Sequence, residues 1–227
     1  LLPLLVALGC WQLSRAAEKR VMLAAFEARR EAAPIPAARL QGQSDPAYVR
    51  VRLQCRFAAQ HSLLLDNRTR DGAAGDELLQ PFYDKPSGLW LLVNRGWLPW
   101  TNRRAAPTFD TPSGDQLLDA WTYVAPPGGL QLADRQSQAW PRLITRVDPT
   151  SVWQAVGRNG LPLELRLEPG DAAFDTNWPV VAVSPERHTG YAVQWFAMAT
   201  ALLALYLYLG IRRARAMTRH EDRKSTR

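Results

Sequence analysis

Three textures of apolar and polar positions follow one another along the chain. Residues 1–13 (LLPLLVALGCWQL) are almost wholly apolar. The pattern then becomes helical. Leu13, Ala16, Ala17, Val21, Leu23 and Ala24 recur among Trp11, Gln12, Arg15 and Lys19 and predict one continuous helix to about Arg30. Residues 48–58 (YVRVRLQCRFA) alternate strictly. Val49, Val51, Leu53, Cys55 and Phe57 face one way and Arg50, Arg52, Gln54 and Arg56 the other, as in a half-buried strand. Residues 61–67 follow after a short turn and suggest an antiparallel hairpin with it. Residues 89–98, 116–123, 142–147 and 180–183 predict four further strands. Residues 149–156 predict a short helix capped by Thr150 or Ser151. Prolines and glycines punctuate the stretch from about 34 to 186. The class read from this is α+β, with one mostly antiparallel sheet, curled into a partial barrel, and one or two helices.

The third texture is a long apolar run. Residues 191–211 hold 21 positions without a charge, which as a helix reach ~31 Å against a hydrocarbon core of ~30 Å. Only a helix or a closed barrel satisfies its backbone there. Tyr191 and Trp195 stand at one end and Tyr206 and Tyr208 near the other, as interfacial aromatics do, and Arg212 and Arg213 end the run. Residues 1–13 are short for a span. They read as the outer half of a first membrane helix whose start is missing, leaving the membrane near Arg15. A signal peptide has an apolar core of this length, but no small-residue cleavage site follows. The expected organisation is therefore a first transmembrane helix with its extramembrane continuation (1–30), an outward-facing α+β domain (31–187), a second transmembrane helix (188–211) and a basic cytoplasmic tail (212–227).

Charge refines this picture. The formal net charge is +7, and residues 212–227 hold seven basic and two acidic residues, so the rest of the chain carries only +2. A basic tail directly after an apolar run marks the cytoplasmic side of a membrane helix and suits anionic lipid headgroups. Two spans then put both termini in the cytoplasm and the central domain outside. Arg15, Lys19, Arg20, Arg29 and Arg30, on the outer flank of the first helix, argue the other way with less density. No nucleic-acid recognition motif accompanies the charge, so no nucleic-acid partner is expected. With 227 residues and a mean hydropathy of −0.25, the chain has room for one sizeable domain plus anchors and is not a polytopic transporter.

Cys10 and Cys55 lie in a helical and a strand-like segment, and no CxxC or CxxCH is present. His61, His188 and His220 are too few for a multi-histidine metal site. GxSxG, P-loop, GxGxxG and HExxH motifs are absent, so no catalytic residue is assigned. Leu64-Leu65-Asp66-Asn67-Arg68 and Leu92-Val93-Asn94-Arg95-Gly96 resemble one another, and read as two neighbouring strands with the same turn chemistry rather than as a paired binding site.

Three phrases remain: Gly9-Cys10-Trp11-Gln12-Leu13-Ser14-Arg15 with Lys19 after it, Val93-Asn94-Arg95-Gly96-Trp97-Leu98-Pro99, and Arg187-His188-Thr189-Gly190-Tyr191-Ala192-Val193-Gln194-Trp195-Phe196-Ala197. In this order and spacing the chain resembles the Surfeit locus protein one family over nearly its whole length. Each phrase alone is weak, and together they are specific. The resemblance implies a membrane-anchored, non-enzymatic assembly factor for cytochrome c oxidase that helps insert or stabilise haem a in subunit I. It implies subunit I, haem a synthase and membrane lipid as partners, and haem a as a transient cofactor. His188 matches the histidine proposed in the family as haem iron ligand, and Tyr191, Gln194 and Trp195 match the stretch after it. Many relatives carry Asn before that histidine, where this chain has Glu186 and Arg187.

The chemistry is compatible. Neutral imidazole is a good axial ligand for haem iron, and on a helix His188, Tyr191, Ala192 and Trp195 share a face. Arg15 or Lys19 on the first helix would meet haem propionates, Arg with bidentate geometry. Plainer readings stand beside these: His188 as a polar cap, Trp11 and Trp195 as interfacial residues, Arg15 and Lys19 as side chains snorkelling to headgroups. Twenty-five arginines against three lysines, with many alanines, suggest a GC-rich bacterium and hence the inner membrane, with the central domain periplasmic. The alternatives are a scaffold that holds subunit I without touching haem, and an unrecognised membrane-anchored periplasmic enzyme.

Overall fold

The computed structural model describes residues 1–102, 106–125, 139–181 and 183–225, with the backbone alone over 216–225. In chain order its elements are α1 (Leu2–Arg30), β1 (Ile35–Pro36), β2 (Arg50–Phe57), β3 (Leu63–Arg70), β4 (Ala73–Asp84), β5 (Leu89–Pro99), β6 (Gln116–Tyr123), β7 (Arg142–Ile144), α2 (Pro149–Val156), β8 (Gly160–Leu167) and α3 (Pro185–Ser225). The chain divides into two compact units, Phe26–Trp178 and the pair of segments Leu1–Ala25 and Pro179–Arg227.

Within Phe26–Trp178 the strands form one sheet in the order β1-β2-β6-β8-β5-β4-β3-β7, and β2 also pairs with β4 through Cys55↔Asp84 and Phe57↔Phe82. Strands β2, β6, β8, β5 and β4 therefore close into a five-stranded barrel, which removes most of the sheet's free edge. The pairings are antiparallel except β1–β2, β3–β7 and β5–β8. The barrel interior is filled by Val51, Leu53, Phe57, Phe82, Leu91, Val93, Ala120, Leu165 and Leu167. A second apolar cluster, with Leu63, Leu65, Leu79, Leu92, Ile144, Val152 and Trp153, covers the outer face of β3–β5 under α2.

The alternation in β2 appears as read: Val51, Leu53, Cys55 and Phe57 are buried, and Arg52, Gln54 and Arg56 exposed. The predicted hairpin between residues 48–58 and 61–67 is not formed. A 3-10 turn (Ala59–His61) carries the chain past β4, and β3 pairs with β4 and β7 instead. Residues 180, 181 and 183 are not in a strand, and Ala182 lies outside the described residues. The predicted sheet lacked β1, β4 and β8. The two Asn-Arg phrases lie on β3 and β5, which flank β4 and do not pair with each other. Helix α2 is capped by Asp148, which accepts from the Thr150 amide at 3.2 Å and the Ser151 hydroxyl at 2.5 Å, rather than by Thr150 or Ser151 themselves.

The other unit consists of α3 and the segment of α1 up to Ala25. Pro185–Arg215 is long and apolar enough to cross a membrane, its most apolar 18-residue stretch having a mean hydropathy of 1.6. Only 11% of its most apolar stretch is buried within the protein, whereas a core helix of a soluble protein is mostly covered. Helix α1, apolar only at its start, does not meet the same test among the described residues.

Candidate functional site

Helices α1 and α3 meet along a seam of small residues. On α1, Leu5, Gly9 and Ala16 are buried, with half-buried Gln12 completing the 4-3-4 spacing of one helix face. On α3, Ala192 and Ala199 are buried. A β-carbon on Gly9 would stand 2.6 Å from Cε1 of Phe196, so the glycine lets the Phe196 ring lie against the α1 backbone.

His188 sits in the first turn of α3. Its amide donates to the Ser184 carbonyl at 3.3 Å, and the Arg187 amide donates to the Ser184 hydroxyl at 3.4 Å, so Ser184 caps the helix ahead of Pro185. The imidazole Nδ1 lies 2.7 Å from Oε1 of Gln12, across the seam. One residue on, Thr189 accepts a hydrogen bond from Arg20 of α1 at 3.2 Å. The first and third phrases singled out in the sequence therefore meet through the Gln12–His188 hydrogen bond.

The remaining expected site residues are distributed as follows. Tyr191 and Gln194 are exposed and Trp195 half-buried, and none of their side chains makes a hydrogen bond or ring contact with another described residue. Trp11 is half exposed, and the Arg15 guanidinium lies over its ring at 5.9 Å. Arg15 also pairs with Glu18 at 2.7 Å, while its buried Nε has no partner. Lys19 lies 3.6 Å from Glu18. Both cations suggested for propionates thus share one carboxylate of their own helix. Gln12, absent from the residues singled out as site candidates, is the one that contacts His188.

The middle phrase does something else. Asn94 has no exposed surface and donates to Glu77 and Glu164. Arg95 is sandwiched between Phe57 and Phe174, 5.0 and 4.8 Å from their centroids, and donates to the carbonyls of Ala172 and Asp110 and to Gln80. Burial depresses its guanidinium to about 10. Gly96 adopts φ +122°, where a β-carbon would be 2.8 Å from the Asp175 carbonyl. Trp97 exchanges backbone hydrogen bonds with Asp175 and donates its indole N–H to the Arg68 carbonyl. All four residues of Asn-Arg-Gly-Trp are buried parts of the barrel, and three of them clamp residues 172–175. Asn67, its counterpart on β3, has φ 57° at a register shift in β3. Both phrases thus hold a positive φ beside a register shift, at Asn67 in β3 and at Gly96 in β5, where the shift falls between Asn94 and Gly96, and the second phrase adds a buried polar network.

A second concavity lies within Phe26–Trp178. It encloses about 370 Å³ between Phe26, Tyr48, Trp121 and Trp178, beside Arg50 and Glu168. Phe26 stands edge-on to Tyr48 and Trp121 at 5.4 and 5.2 Å. Arg50 and Glu168 satisfy each other through two hydrogen bonds of 2.6 Å. Among the described residues, no group of three or more His, Cys, Asp or Glu is arranged to hold a metal ion.

Comparison with known proteins gives one answer. The model of the SURF1 family matches residues 1–200. The chain is similar to a SURF1-like protein of Rickettsia felis, with 26% identity over 90% of this chain and 91% of that protein. It is similar to a SURF1-like protein of Caenorhabditis briggsae, with 23% identity over 89% of this chain and 70% of the relative. Against a SURF1-like protein of Caenorhabditis elegans the identity is 25%, and the match spans 46% of that relative's length.

Proposed function

The chain belongs to the SURF1 family, and we propose from that premise that it is a membrane-anchored assembly factor for cytochrome c oxidase that handles haem a on its way to subunit I. The observation that carries the proposal is the contact between His188 Nδ1 and Gln12 Oε1, which unites the first and third family-like phrases in one place. The residues fit the group in donor chemistry. A partly exposed imidazole at a helix start supplies one axial nitrogen ligand, and the exposed rings of Tyr191 and Trp11 suit an apolar macrocycle. Arg15 and Lys19 would serve the propionates. Haem when bound supplies the redox chemistry of the oxidase. This chain's residues only hold it and release it, so no catalytic residue is assigned.

In this reading both helices cross the bacterial inner membrane, the barrel is periplasmic and both termini are cytoplasmic. The apolar run of α3 and the small-residue seam with α1 support it. Subunit I, haem a synthase and lipid are the partners.

The test is a visible spectrum of the detergent-purified full chain from cells that make haem a, beside His188→Ala. A haem a Soret band in the wild type, lost in a folded variant, is the expected result. Haem in both keeps the carrier and moves the ligand. A folded protein without haem in either case turns the reading to a scaffold for subunit I.

A further inference from the structure

We propose that Gln12 is a positioning residue that locks His188 in the Nδ1–H tautomer and thereby makes Nε2 the ligating atom. The atom facing Nδ1 at 2.7 Å is the Gln12 amide oxygen, which only accepts hydrogen bonds. Nδ1 must therefore carry the proton of the neutral ring, and the lone pair is left on Nε2. This is the arrangement in which ligating histidines are held by an outer acceptor.

Both partners are fixed by their surroundings. Gln12 occupies the buried face of α1, one turn from buried Gly9 on one side and from Ala16, with 0% exposure, on the other. The His188 backbone is tied to Ser184 in the capped first turn of α3. The two side chains are 176 positions apart in the chain, so the pairing depends on the seam being formed. An acceptor at this point thus couples helix docking to imidazole tautomer: a separated α3 would leave the ring free to exchange its proton between nitrogens.

A polar pair in a helix seam could instead serve only to hold the helices together, as interhelical hydrogen bonds do in membrane proteins. The two roles differ in what replaces Gln12. Which group Nε2 receives rests on the haem reading above, and the tautomer does not.

The experiment uses the full chain in detergent, free of haem, with ¹⁵N-labelled histidine, and reads the tautomer from long-range ¹H–¹⁵N spectra. The chain has three histidines, and His188→Ala identifies the signal. The wild type is expected to show a protonated Nδ1 and a bare Nε2. Gln12→Glu, which keeps an acceptor oxygen, is expected to retain that state, and Gln12→Leu to show both tautomers. Titrated with haem a, Gln12→Leu should bind about tenfold more weakly than the wild type, and Gln12→Glu at least as tightly. A proton on Nε2 in the wild type, or an unchanged tautomer in Gln12→Leu, overturns the proposal. So does a haem a affinity that falls in His188→Ala but not in Gln12→Leu. The expected tautomers without haem uptake by the wild type would uphold Gln12's control of the ring and remove the haem reading alone.

Discussion

Asn94 donates a 2.8 Å hydrogen bond to Glu77 from a position with no exposed surface. The same amide nitrogen reaches Glu164 at 3.0 Å. Glu77 also lies 3.5 Å from Arg70, and Glu164 3.0 Å from Arg166, so one amide links two buried ion pairs. These residues lie on the opposite face of the strands from Leu91, Val93 and Leu165, outside the barrel core. Carboxylates held this way depend on every donor they have, because a buried charge that loses a partner is strongly disfavoured.

Asn94→Asp should therefore be far worse than its size suggests. It removes the donor and sets a third carboxylate between two others. A loss of more than about 3 kcal/mol is expected, against about 2 kcal/mol for Asn94→Ala. Thermal unfolding of the full chain in detergent measures both. An Asn94→Asp protein as stable as the wild type would show that the network does not depend on the Asn94 donor.

Arg95 offers a contrast in the same strand. Its close partners are neutral acceptors and two phenyl rings, with the Asp110 carboxylate acting at longer range. A planar fork serves this arrangement and a point charge does not. Arg95→Lys should cost about 2–3 kcal/mol through lost hydrogen bonds and should loosen residues 172–175, read as faster amide exchange at Phe174, which donates to the Arg95 carbonyl. Equal exchange in the two proteins would assign the clamp to the backbone alone.

What was legible in the sequence divides along burial. Strand β2 announced itself because one face is core and the other solvent. Strand β4 is buried almost throughout, by the barrel on one side and the α2 cluster or the Asn94 network on the other, so its alternation is erased. Strand β8 was legible, since Leu161, Leu163, Leu165 and Leu167 alternate with Pro162, Glu164 and Arg166, and only Pro162 near its start argues against a strand. The misplaced hairpin followed from short sequence separation, whereas the barrel closes β2 onto β4 and β6. At the site, His188 emerged from its phrase, but Gln12 did not. The available signal was a polar residue at the one unfilled step of the Leu5–Gly9–Ala16 face. Its meaning required the partner helix, which no local pattern supplies.

Asp76 gives the pH dependence a definite sign. It is 3% exposed, and its Oδ1 has no partner, although the Trp100 side chain and the Asn67 amide reach the carboxylate. Burial, aided by the nearby Asp66 charge, raises its pKa above 3.8. The folded protein therefore holds this proton more tightly than the unfolded chain. The resulting stabilisation is complete below the unfolded value and is lost as pH rises through the folded one. Asp76→Asn should remove that decline and be about 1 kcal/mol more stable than the wild type at pH 7, with the two converging near pH 3. Denaturant titrations across pH 3–7 test this, and a stability gap independent of pH would exclude Asp76 as its source.

The seam between α1 and α3 yields a test by size. Replacing glycine with alanine inside a helix ordinarily adds about 1 kcal/mol of stability. At Gly210 nothing lies within 4 Å of the new carbon, and Gly210→Ala should be neutral or stabilising. At Gly9 the same carbon would meet the Phe196 ring at 2.6 Å and force the helices apart, so Gly9→Ala should destabilise by about 1–3 kcal/mol. If the ring is the obstacle, Gly9→Ala with Phe196→Leu should recover at least about 1 kcal/mol relative to the sum of the single changes. The double-mutant cycle, measured by thermal unfolding in detergent with oxidase haem content in a deletion strain as a second readout, separates the cases. Additive losses would mean that Gly9 matters for something other than the approach of Phe196. A favourable coupling that also restores oxidase haem would tie the close packing of the two helices to the protein's work.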